Sequence, residues 1–590
     1  MSREYPGLFY TAYNMIDSKH EVTMIDLHSH SSCSDGTLSP TELVNLAINT
    51  GLSAVALTDH DTVDGLPEAF QHAAALRDAH PEDPAYDLEL IPGIEFSTIY
   101  KGKDIHIVGL YFDWQNEEFL SQVREFSDAR DNRNRKMCAR LQADGIEVPY
   151  EDLINSFPAG TSITRANFAR YMLDHGITYS MKEAFDRYIG DDCKYFVPRE
   201  KITPAKAVQF LRQFHGIPIL AHPLQYHFSA AELEELVSEL TALGLMGIET
   251  VYNNHTPQDT ADLTRLANKY GLLPSGGSDF HGENKPGLKL GTGYGHLYVP
   301  DHFLTDLKHR LHGISGSSKL FVTDFDGTLG TTEKTVSPAT RDALEHWTGA
   351  GNLFALSSGR AFKDVRNLKD RLKLDYPGSY LIAGNGSQVY DCSRGELILD
   401  LRIDKALVPE VYALADEVGV YVQTYDDEHI LLREKTTPEL EFYQKSVKLP
   451  VLSDPDLLKH LKTDPGKVLA ISLNEPEKLE ALRQEILKRY PGVLDAFQSS
   501  PYLLEIVSVH AGKGKALRWL CRYLGITAEN SIAAGDAPND ISMIRAAGLG
   551  VVMCNGAAQH PAMQKLVECG DAVMSAQDND HDGLLPYLKI

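Results

Sequence analysis

The sequence predicts an α/β protein of two to four domains, and three observations support this prediction. The chain has 590 residues, which is more than one hydrophobic core accommodates. Short apolar runs rich in β-branched residues alternate with helical segments, a pattern typical of parallel βα units. Small and polar residues fill 312–319, HGISGSSK, between two strongly patterned halves, and this segment is the clearest domain boundary.

The composition limits the classes of function. A hydrophobic content of 43% and a charged content of 23% are those of a globular protein. We find no apolar run long enough to span a bilayer and no basic-then-apolar leader, so we expect no membrane association. Seven scattered cysteines without CxxC spacing favour a reducing cytoplasm over a disulfide framework or a thiolate zinc site. The net charge of −26 disfavours binding to long DNA but permits a small anionic substrate.

The stretch Met24–Gly36, MIDLHSHSSCSDG, places candidate metal ligands at the end of a predicted strand. Side chains alternate along a strand, so His28 and His30 project on the same side. Two converging neutral imidazoles are either metal ligands or a costly buried polar cluster, and this stretch alone leaves both interpretations open. A helix is predicted at Pro40–Thr50, with Ser39 as its N-cap and a glutamate three residues later.

The same arrangement recurs along the first half, where apolar strands contain or precede residues that commonly bind metals. The further predicted strands are Leu52–Leu57, Leu88–Ile94, Asp104–Leu110, Ile217–Leu220, Leu245–Val251 and Leu272–Ser275. The candidate ligands are His28, His30, Asp35, His60, Glu95, His106, His222, Asp279 and His281. Polar residues at strand termini are typical of barrel-type α/β proteins, whose active sites lie at the ends of the strands.

Nine nitrogen and oxygen ligands are too many for one tetrahedral ion, so we expect two or three Zn, Mn or Fe ions with Glu95 as a bridging carboxylate. Taken singly, His106 inside a strand is equally typical of a hydrogen-bonded core histidine. His222 precedes a proline and is also compatible with a simple turn. The aspartates of the TDHDTVD stretch are interpreted as outer groups that support the ligands, or as solvated carboxylates.

Six motifs occur in order over about 23–311: HSHSSCSDG, TDHDT, PGIEFS, HIVGL, AHP and GSDFHG. They resemble the motifs of the polymerase and histidinol phosphatase (PHP) family, with the nearest pattern in its nucleoside 3′,5′-bisphosphate phosphatases and RNA 5′-exonucleases. The resemblance implies a distorted β/α barrel over 23–312 with a trinuclear metal site, after an N-terminal tail at 1–22. It implies one ion shared by His28, His30, Glu95 and Asp279, a second bridged by Glu95 and held with His106 and His222, and a third held by Asp35, His60 and His281.

A helical insertion is expected at about 116–194. One helical run in it carries five cations, Arg130, Arg133, Arg135, Lys136 and Arg140. This run is equally well explained as a solvated helix face. Arg165 lies beside polar residues in an otherwise apolar segment and is the better phosphate ligand, because arginine forks match phosphate oxygens. In the resembling subgroup this insertion contacts the nucleotide, so the substrate-binding candidates are Arg130, Arg135 and Arg165.

The second half opens with a predicted strand, Lys319–Thr323, followed by DFDGTL. Asp324 and Asp326 leave the strand on the same side, the following glycine permits a tight turn, and Thr328 can donate to a phosphate. DxDGT alone is also compatible with a calcium-type acidic loop or a simple turn. Three later segments complete the pattern: a strand leading into SSGR at 357–360, AGKG at 511–514 before a helix, and a strand leading into GDAPND at 535–540.

These four segments resemble, in order, the motifs of the haloacid dehalogenase (HAD) superfamily of phosphatases, and of its Cof-like subgroup in particular. The resemblance covers 318–590 and implies a Rossmann-like core with an α/β cap inserted at about 386–509. It implies that Asp324 is a nucleophile that forms an aspartyl-phosphate and that Asp326 acts as acid and then base. It also implies that Ser358 and Lys513 bind the phosphoryl oxygens. Mg²⁺ would be bound by Asp324, the backbone carbonyl of Asp326 and Asp536, with Asp540 close to the ion.

Several second-half residues have less specific interpretations. Asn385, at the entry to the cap, and Asn539 are candidates for substrate contacts, and Asn539 is also expected to orient Asp540. Ser357 is expected to be structural, and Arg360 to cap a helix. The cap is expected to select the leaving group, with sugar phosphates and similar small phosphomonoesters as the default substrates.

Together these patterns predict a bifunctional, metal-dependent phosphatase of the cytoplasm. The first half would hydrolyse nucleoside 3′,5′-bisphosphates or short RNA 5′ ends with hydroxide activated by its metal ions. The second would hydrolyse a small phosphomonoester with Mg²⁺. Four alternatives stay open: one active domain regulated by the other, histidinol phosphate as the first substrate, a proofreading accessory of a DNA polymerase, and a nucleotide-sensing scaffold with a structural metal site. The sequence does not predict an oligomeric state.

Overall fold

The structure is a computed structural model of the chain and describes residues 24–80, 83–158, 161–190, 193–197, 202–434 and 436–589. The N-terminal tail predicted at 1–22 lies outside the described residues. The chain divides into two compact units between Leu307 and Lys308. This division falls inside a helix, Asp301–His312, just before the boundary segment 312–319.

The first unit is built on a seven-stranded sheet whose strands lie in sequence order. The strands are β1 (Met24–Ser29), β2 (Leu52–Leu57), β3 (Glu89–Tyr100), β4 (Lys103–Leu110), β5 (Ile217–Leu220), β6 (Gly247–Tyr252) and β7 (Leu273–Gly277). β1, β2 and β3 are parallel, as are β5, β6 and β7, whereas β4 runs antiparallel to both of its neighbours. Backbone hydrogen bonds from His30 N to Phe280 O and from Asp279 N to His28 O join the two edges. The sheet is therefore a nearly closed barrel.

Helices pack against the outside of this sheet, as the predicted βα pattern requires. The helices of residues 24–312 are α1 (Pro40–Thr50), α2 (Leu66–Ala79), α3 (Glu117–Ala143), α4 (Tyr150–Asn155), α5 (Arg165–Asp174), α6 (Met181–Ala184), α7 (Pro204–Gln213), α8 (Ala230–Ala242), α9 (Pro257–Tyr270) and α10 (Asp301–His312). α1 has the predicted bounds, and its capping box is formed: Ser39 Oγ accepts from Glu42 N, and Glu42 Oε2 accepts from Ser39 N. α3 to α6 lie between β4 and β5, within the predicted insertion.

The strand predictions for this unit are close to the structure, with one correction. β2 and β5 have the predicted bounds. The prediction that a strand ends just before Glu95 is wrong, because β3 continues to Tyr100. The extension pairs with β4, and Glu95 lies opposite Val108 in that antiparallel ladder. Glu95 and His106 therefore project from the middle of two long strands instead of from the ends of parallel ones.

The second unit contains two sheets. Its strands are β8 (Leu320–Asp324), β9 (Leu353–Ser357), β10 (Ser379–Ala383), β11 (Gln388–Asp391), β12 (Glu396–Asp400), β13 (Tyr421–Tyr425), β14 (Ile430–Leu432), β15 (Val451–Ser453), β16 (Val468–Ile471), β17 (Leu494–Ser500), β18 (Leu503–Ser508), β19 (Ser531–Gly535), β20 (Leu549–Val552) and β21 (Val573–Met574). Eight of them form a core sheet in the order β12-β11-β10-β9-β8-β19-β20-β21, and six form a cap sheet in the order β15-β14-β13-β16-β18-β17.

The core sheet is parallel from β10 to β21, and this places three predicted motifs at one edge. Asp324, Ser358 and Asp536 lie at the carboxyl ends of β8, β9 and β19, which are adjacent strands. Ligand sites of open α/β sheets lie at this edge. The helices are α11 (Pro338–Gly349), α12 (Phe362–Leu372), α13 (Val408–Val418), α14 (Pro438–Tyr443), α15 (Leu457–His460), α16 (Glu477–Arg489), α17 (Lys513–Leu524), α18 (Ile541–Ala546), α19 (Cys554–Gln559) and α20 (Pro561–Glu568).

The cap sheet begins later in the chain than the predicted insertion at 386–509. β11 and β12 form an antiparallel extension of the core sheet next to β10. The cap sheet spans β13 to β18, and its apolar cluster includes Val422, Ala470 and Ile506. Across both units, none of the helices within the described ranges has the length and apolar composition needed to cross a bilayer.

Candidate active sites

The carboxylate of Glu95 lies at the centre of a ring of imidazoles inside the barrel. Its Oε1 is 2.9 Å from His106 Nδ1 and 3.0 Å from His222 Nε2. Its Oε2 is 3.0 Å from His60 Nδ1 and 3.3 Å from the Nε2 atoms of both His28 and His30. One carboxylate thus reaches all five imidazoles, which is the arrangement expected of a bridging ligand.

The other predicted ligands complete the ring. Asp279 Oδ1 lies 3.3 Å from His30 Nε2 and 3.7 Å from His28 Nε2. Asp35 has its Oδ1 3.2 Å from His281 Nε2 and its Oδ2 3.8 Å from His60 Nε2. The structure brings all nine predicted residues together. Their donor atoms form four overlapping groups: His30, Asp35, His60 and His281; His28, Glu95 and His222; His28, His30 and Asp279; and His60, Glu95 and His106.

This donor set fits divalent ions. Within the described part of the chain, six buried atoms of the ring have no hydrogen-bond partner: His28 Nε2, both ring nitrogens of His30, His60 Nδ1, Glu95 Oε2 and His222 Nδ1. Buried polar atoms are rarely left unpaired in folded proteins, because desolvation without compensation is costly. Imidazole nitrogens and carboxylate oxygens around a common centre suit Zn, Mn or Fe.

The carboxylates and imidazoles of the ring shift one another's pKa values strongly. Although burial opposes the shift, Glu249 and Glu95 raise the pKa of His28 well above its ordinary value. Against the same effect of burial, Asp279 and Glu95 raise the pKa of His30 to about 9.

Burial alone would raise the pKa of the Glu95 carboxyl, but the imidazoles of His60 and His106 hold that pKa well below its usual range. Burial alone would also raise the pKa of the Asp35 carboxyl, but the imidazoles of His60 and His281 hold that pKa well below its usual range. Burial lowers the pKa of His60 well below its ordinary value, although Glu95 and Asp35 oppose the shift.

A cavity of about 540 Å³ opens from the ring of candidate ligands. Asp35, His60, His106 and His222 line one part of it, and Phe185, Phe196 and three arginines line another. This volume is within the range of small-molecule sites. The three arginines are Arg130, Arg133 and Arg165. The cavity therefore joins a group of candidate metal ligands to a group of arginines.

The arginines differ in their surroundings. Arg130 is buried and donates to Asp61 and Ser97. Arg165 donates to Asp104 Oδ2 at 2.9 Å, and Arg133 is buried at the cavity wall. Arg135, which is also predicted to bind substrate, does not line this cavity: its side chain is 56% exposed, pairs with Glu151 and stacks on a tyrosine. On α3, Arg133 and Arg135 are two positions apart and therefore face different sides.

In the second unit, three acidic residues and a lysine meet at the edge of the core sheet. Lys513 Nζ donates to Asp324 Oδ1 at 2.6 Å and to Asp540 Oδ1 at 2.5 Å. Asp540 Oδ2 accepts from the backbone N–H of Asp536 and of Ala537, both at 3.1 Å. Carboxylate oxygens of Asp324, Asp536 and Asp540 form one candidate metal group. Oxygen ligands of this kind suit Mg²⁺.

The three carboxylates are buried and lie close together, so ionising all of them without a bound cation is unfavourable. Burial raises the pKa of Asp324 well above its usual range, although Lys513 opposes the shift. Burial, with Asp540 as the next cause, raises the pKa of Asp536 to about 7. A bound cation would favour the ionised forms, so this donor set fits Mg²⁺. Gly327 allows the DFDGTL turn to lie close to Asp536. Its φ of 86° favours glycine, and a Cβ at this position would collide with the Asp536 carboxylate.

The other predicted residues of this unit lie around the carboxylates. Thr328 Oγ1 donates to Asp536 Oδ1 at 2.8 Å, and Ser358 is buried with its Oγ accepting from Arg360 N. Asn539 Nδ2 donates to Asn385 Oδ1 at 3.0 Å, so Asn539 orients Asn385, whereas the sequence prediction paired it with Asp540. The prediction that Arg360 caps a helix is wrong, because the N-cap of α12 is Ala361 and no side chain among the described residues caps this helix. The guanidinium of Arg360 instead reaches both carboxylate oxygens of Asp326 as well as Asp364 on α12.

Comparison with known proteins follows the same division of the chain. Residues 26–189 match the family model of the PHP domain, and residues 321–583 match the model of the haloacid dehalogenase-like hydrolases. Over 256 residues the chain is 35% identical to a 5′-3′ exoribonuclease of Haemophilus influenzae, an alignment that covers 43% of this chain and 89% of that protein.

The chain belongs to the PHP family, and its second unit is a haloacid dehalogenase-like hydrolase domain. It is therefore a phosphoric ester hydrolase. Another PHP relative, the 3′,5′-nucleoside bisphosphate phosphatase of Chromobacterium violaceum, is 32% identical over 267 residues, which are 45% of this chain and 90% of that protein. A haloacid dehalogenase-like hydrolase of Bacteroides thetaiotaomicron aligns with 46% of this chain and 98% of its own, at 28% identity and a TM-score of 0.41.

Three residues of the PHP site were not predicted as functional from the sequence. Glu249 lies on β6 and contacts His28 and His222, and Tyr252 Oη donates to Asp279 Oδ2 at 2.5 Å. Glu249 lies within a strand that the sequence predicts. A carboxylate inside an otherwise apolar strand is the feature that could have marked it as functional. Arg133 was one of five cations in a helical run, and the run gives no indication of which one faces the cavity.

Proposed function

We propose that the PHP domain hydrolyses phosphate esters of nucleotides that carry a second phosphate, either nucleoside 3′,5′-bisphosphates or short RNA 5′ ends. The observation that carries this proposal is the cavity that joins the nine-residue ring to Arg130, Arg133 and Arg165. The names of the exoribonuclease and bisphosphate phosphatase relatives point to the same substrates. A cytoplasmic location stays a prediction.

Each part of the cavity has a separate task in this proposal. The nine ring residues would hold two or three Mn, Zn or Fe ions. Such ions neutralise charge on the phosphoryl oxygens. They also lower the pKa of water, so that hydroxide is available to attack phosphorus near neutral pH. Arg133 and Arg165 would bind the second phosphate through paired N–H groups, and Phe185 and Phe196 would contact the base or ribose.

The haloacid dehalogenase-like domain would hydrolyse a small phosphomonoester through a covalent step. Asp324 Oδ forms a bond to phosphorus as the ester P–O bond breaks, and Asp326 gives its proton to the leaving oxygen. Asp326 then takes a proton from water, whose oxygen attacks phosphorus and releases Asp324. Lys513, which already contacts Asp324 and Asp540, would neutralise charge on the phosphoryl group together with Mg²⁺ held by Asp324, Asp536 and Asp540.

A substrate comparison with Mn²⁺ tests the first proposal. The enzyme should release the 3′-phosphate from adenosine 3′,5′-bisphosphate, or successive nucleotides from a 5′-phosphorylated RNA, and act far more slowly on adenosine 3′-monophosphate. The difference is expected because the monophosphate has no second phosphate for the arginines to bind. Equal rates on both adenine nucleotides would show that the second phosphate is not recognised.

The second proposal is tested by phosphoenzyme trapping. Wild-type protein quenched during turnover of a sugar phosphate with Mg²⁺ should gain the mass of one phosphoryl group on the peptide that contains Asp324. Asp324→Asn protein should gain none, because an amide cannot replace the attacking carboxylate. Glu95→Gln protein is the matched control: it is altered only in the first unit and should still be labelled. Labelling that persists in Asp324→Asn protein would exclude Asp324 as the nucleophile.

A further inference from the structure

Glu249 occupies the centre of β6, with a side chain that is almost fully buried and that reaches two of the candidate ligands at once. Its Oε1 lies 2.9 Å from His28 Nδ1, and its Oε2 accepts from the backbone N–H of His222 at 2.6 Å. His28 lies on β1 and His222 follows β5. One carboxylate therefore connects three segments of the barrel at its ligand-bearing end.

The contact with His28 determines which of its ring nitrogens can bind a metal. A carboxylate that accepts from Nδ1–H leaves Nε2 unprotonated in the neutral imidazole. His28 Nε2 is the atom that faces Glu95 and Asp279, at 3.3 and 3.7 Å. Among the described residues, it has no hydrogen-bond partner. Glu249 thus aims a free lone pair into the ring, as carboxylates behind metal-binding histidines commonly do.

The contact with His222 holds an unusual backbone conformation. His222 has φ 24° and ψ 59°, a positive φ that residues other than glycine rarely adopt, and it precedes Pro223. In this conformation the His222 imidazole places Nε2 3.0 Å from Glu95 Oε1. The short N–H bond to Glu249 secures the turn that presents this imidazole to the ring.

Glu249 is not placed to be a ligand itself. Each of its oxygens is engaged, one by His28 Nδ1 and the other by His222 N. In the described part of the chain, no candidate metal group includes it. The geometry points to Glu249 as a positioning residue that sets the metal affinity of this site by orienting His28 and His222 together. This inference rests on the proposed metal-dependent function of the PHP domain.

Binding of Mn²⁺ to the full-length protein, followed by the EPR signal of free Mn²⁺, tests the inference without measuring catalysis. Glu249→Gln keeps the shape of the side chain but replaces one acceptor with an N–H₂ group, so it cannot accept from both His28 and His222. We expect its Mn²⁺ affinity to fall about 10- to 100-fold relative to wild type. Glu235→Gln is the matched control, because Glu235 is exposed on α8, where it pairs with Lys101. Its affinity should equal that of wild type.

Thermal unfolding of the metal-free proteins separates positioning from a merely structural role. A positioning role predicts similar melting temperatures for metal-free wild type and Glu249→Gln, with a smaller rise on adding Mn²⁺ to the variant. A variant that melts earlier but binds Mn²⁺ as tightly as wild type would overturn the inference. If Glu249→Gln does not fold, Glu249→Asp keeps the charge but is too short to reach both partners, and the same loss of affinity is expected.

The outcomes also distinguish this inference from the proposed function. Wild-type protein that binds no Mn²⁺, Zn²⁺ or Fe²⁺ would contradict the metal-dependent function and the inference with it. Wild-type protein that binds the metal, with unchanged affinity in folded Glu249→Gln, would contradict only the role of Glu249. Reduced affinity in Glu249→Gln with normal affinity in Glu235→Gln would support both.

Discussion

The guanidinium of Arg360 lies against both carboxylate oxygens of Asp326, with Nε 2.9 Å from Oδ2 and Nη2 3.0 Å from Oδ1. Arg360 Nη1 also donates to the carbonyl of Ser446, which precedes the cap strand β15. The proposed acid and base of the second site is therefore paired with a residue that contacts the cap. Two cations, Arg360 and Lys334, control the charge of Asp326.

This pairing predicts how Arg360→Gln changes the pH dependence. Burial raises the pKa of the Asp326 carboxyl, but Arg360 and Lys334 outweigh it and hold that pKa below its usual value. Removing Arg360 should raise the pKa, so that Asp326 is protonated over a wider range. Because Asp326 acts as the acid in the first step, the alkaline limb of the profile of kcat/KM should move to higher pH. Lys363→Gln is the control, because Lys363 lies nearby in the first turn of α12 but pairs with Glu428. An unmoved profile in Arg360→Gln would mean that Asp326 is not the titrating group.

Arg133 and Arg135 form a matched pair for testing the cavity of the PHP domain. Arg133 lines the cavity, whereas Arg135 is exposed beside Glu151. A charge-assisted hydrogen bond contributes roughly 1.5–3 kcal/mol, so Arg133→Gln should raise KM for adenosine 3′,5′-bisphosphate by about tenfold or more. Arg135→Gln should leave KM within about twofold of wild type, as expected for an exposed ion pair. Equal effects of the two substitutions would remove Arg133 from the proposed anion site.

The helix cap at Ser39 gives a prediction about stability. Ser39 Oγ accepts from Glu42 N, and Ser39→Ala removes that acceptor from the start of α1. The loss should lower the free energy of unfolding of the first unit by about 1 kcal/mol, which a urea titration monitored by circular dichroism can detect. Ser39→Asp keeps an N-cap acceptor and should match wild type. A Ser39→Ala protein as stable as wild type would show that the capping box does not stabilise this helix.

Local sequence signals were sufficient for much of the fold and for the ligand ring. The bounds of α1, β2 and β5 follow from apolar runs and from a capping residue, which act over only a few positions. Apart from His106, which lies inside a long strand, the histidines and aspartates of the ring could be found because they lie at or shortly after the ends of short strands. His28 and His30 share a side of one strand, which is a local consequence of the strand geometry.

Relationships that depend on packing were not available from the sequence. β3 extends past Glu95 because β4 pairs with it, and that partner is supplied by the tertiary structure. The side of α3 that faces the cavity is also set by packing, so a run of five cations did not distinguish Arg133 from Arg135. The same applies to β11 and β12, whose pairing with β10 places them in the core sheet instead of the cap.

The central claim is that one chain contains two separate phosphoesterase sites, and reciprocal inactivation tests it most directly. Phosphate release should be measured from adenosine 3′,5′-bisphosphate with Mn²⁺ and from a sugar phosphate with Mg²⁺, using Asp324→Asn and Glu95→Gln proteins. We predict that Asp324→Asn retains the nucleotide activity and loses the sugar phosphate activity, and that Glu95→Gln does the reverse. Loss of nucleotide activity in Asp324→Asn protein, with Glu95→Gln protein still active on the nucleotide, would contradict the account.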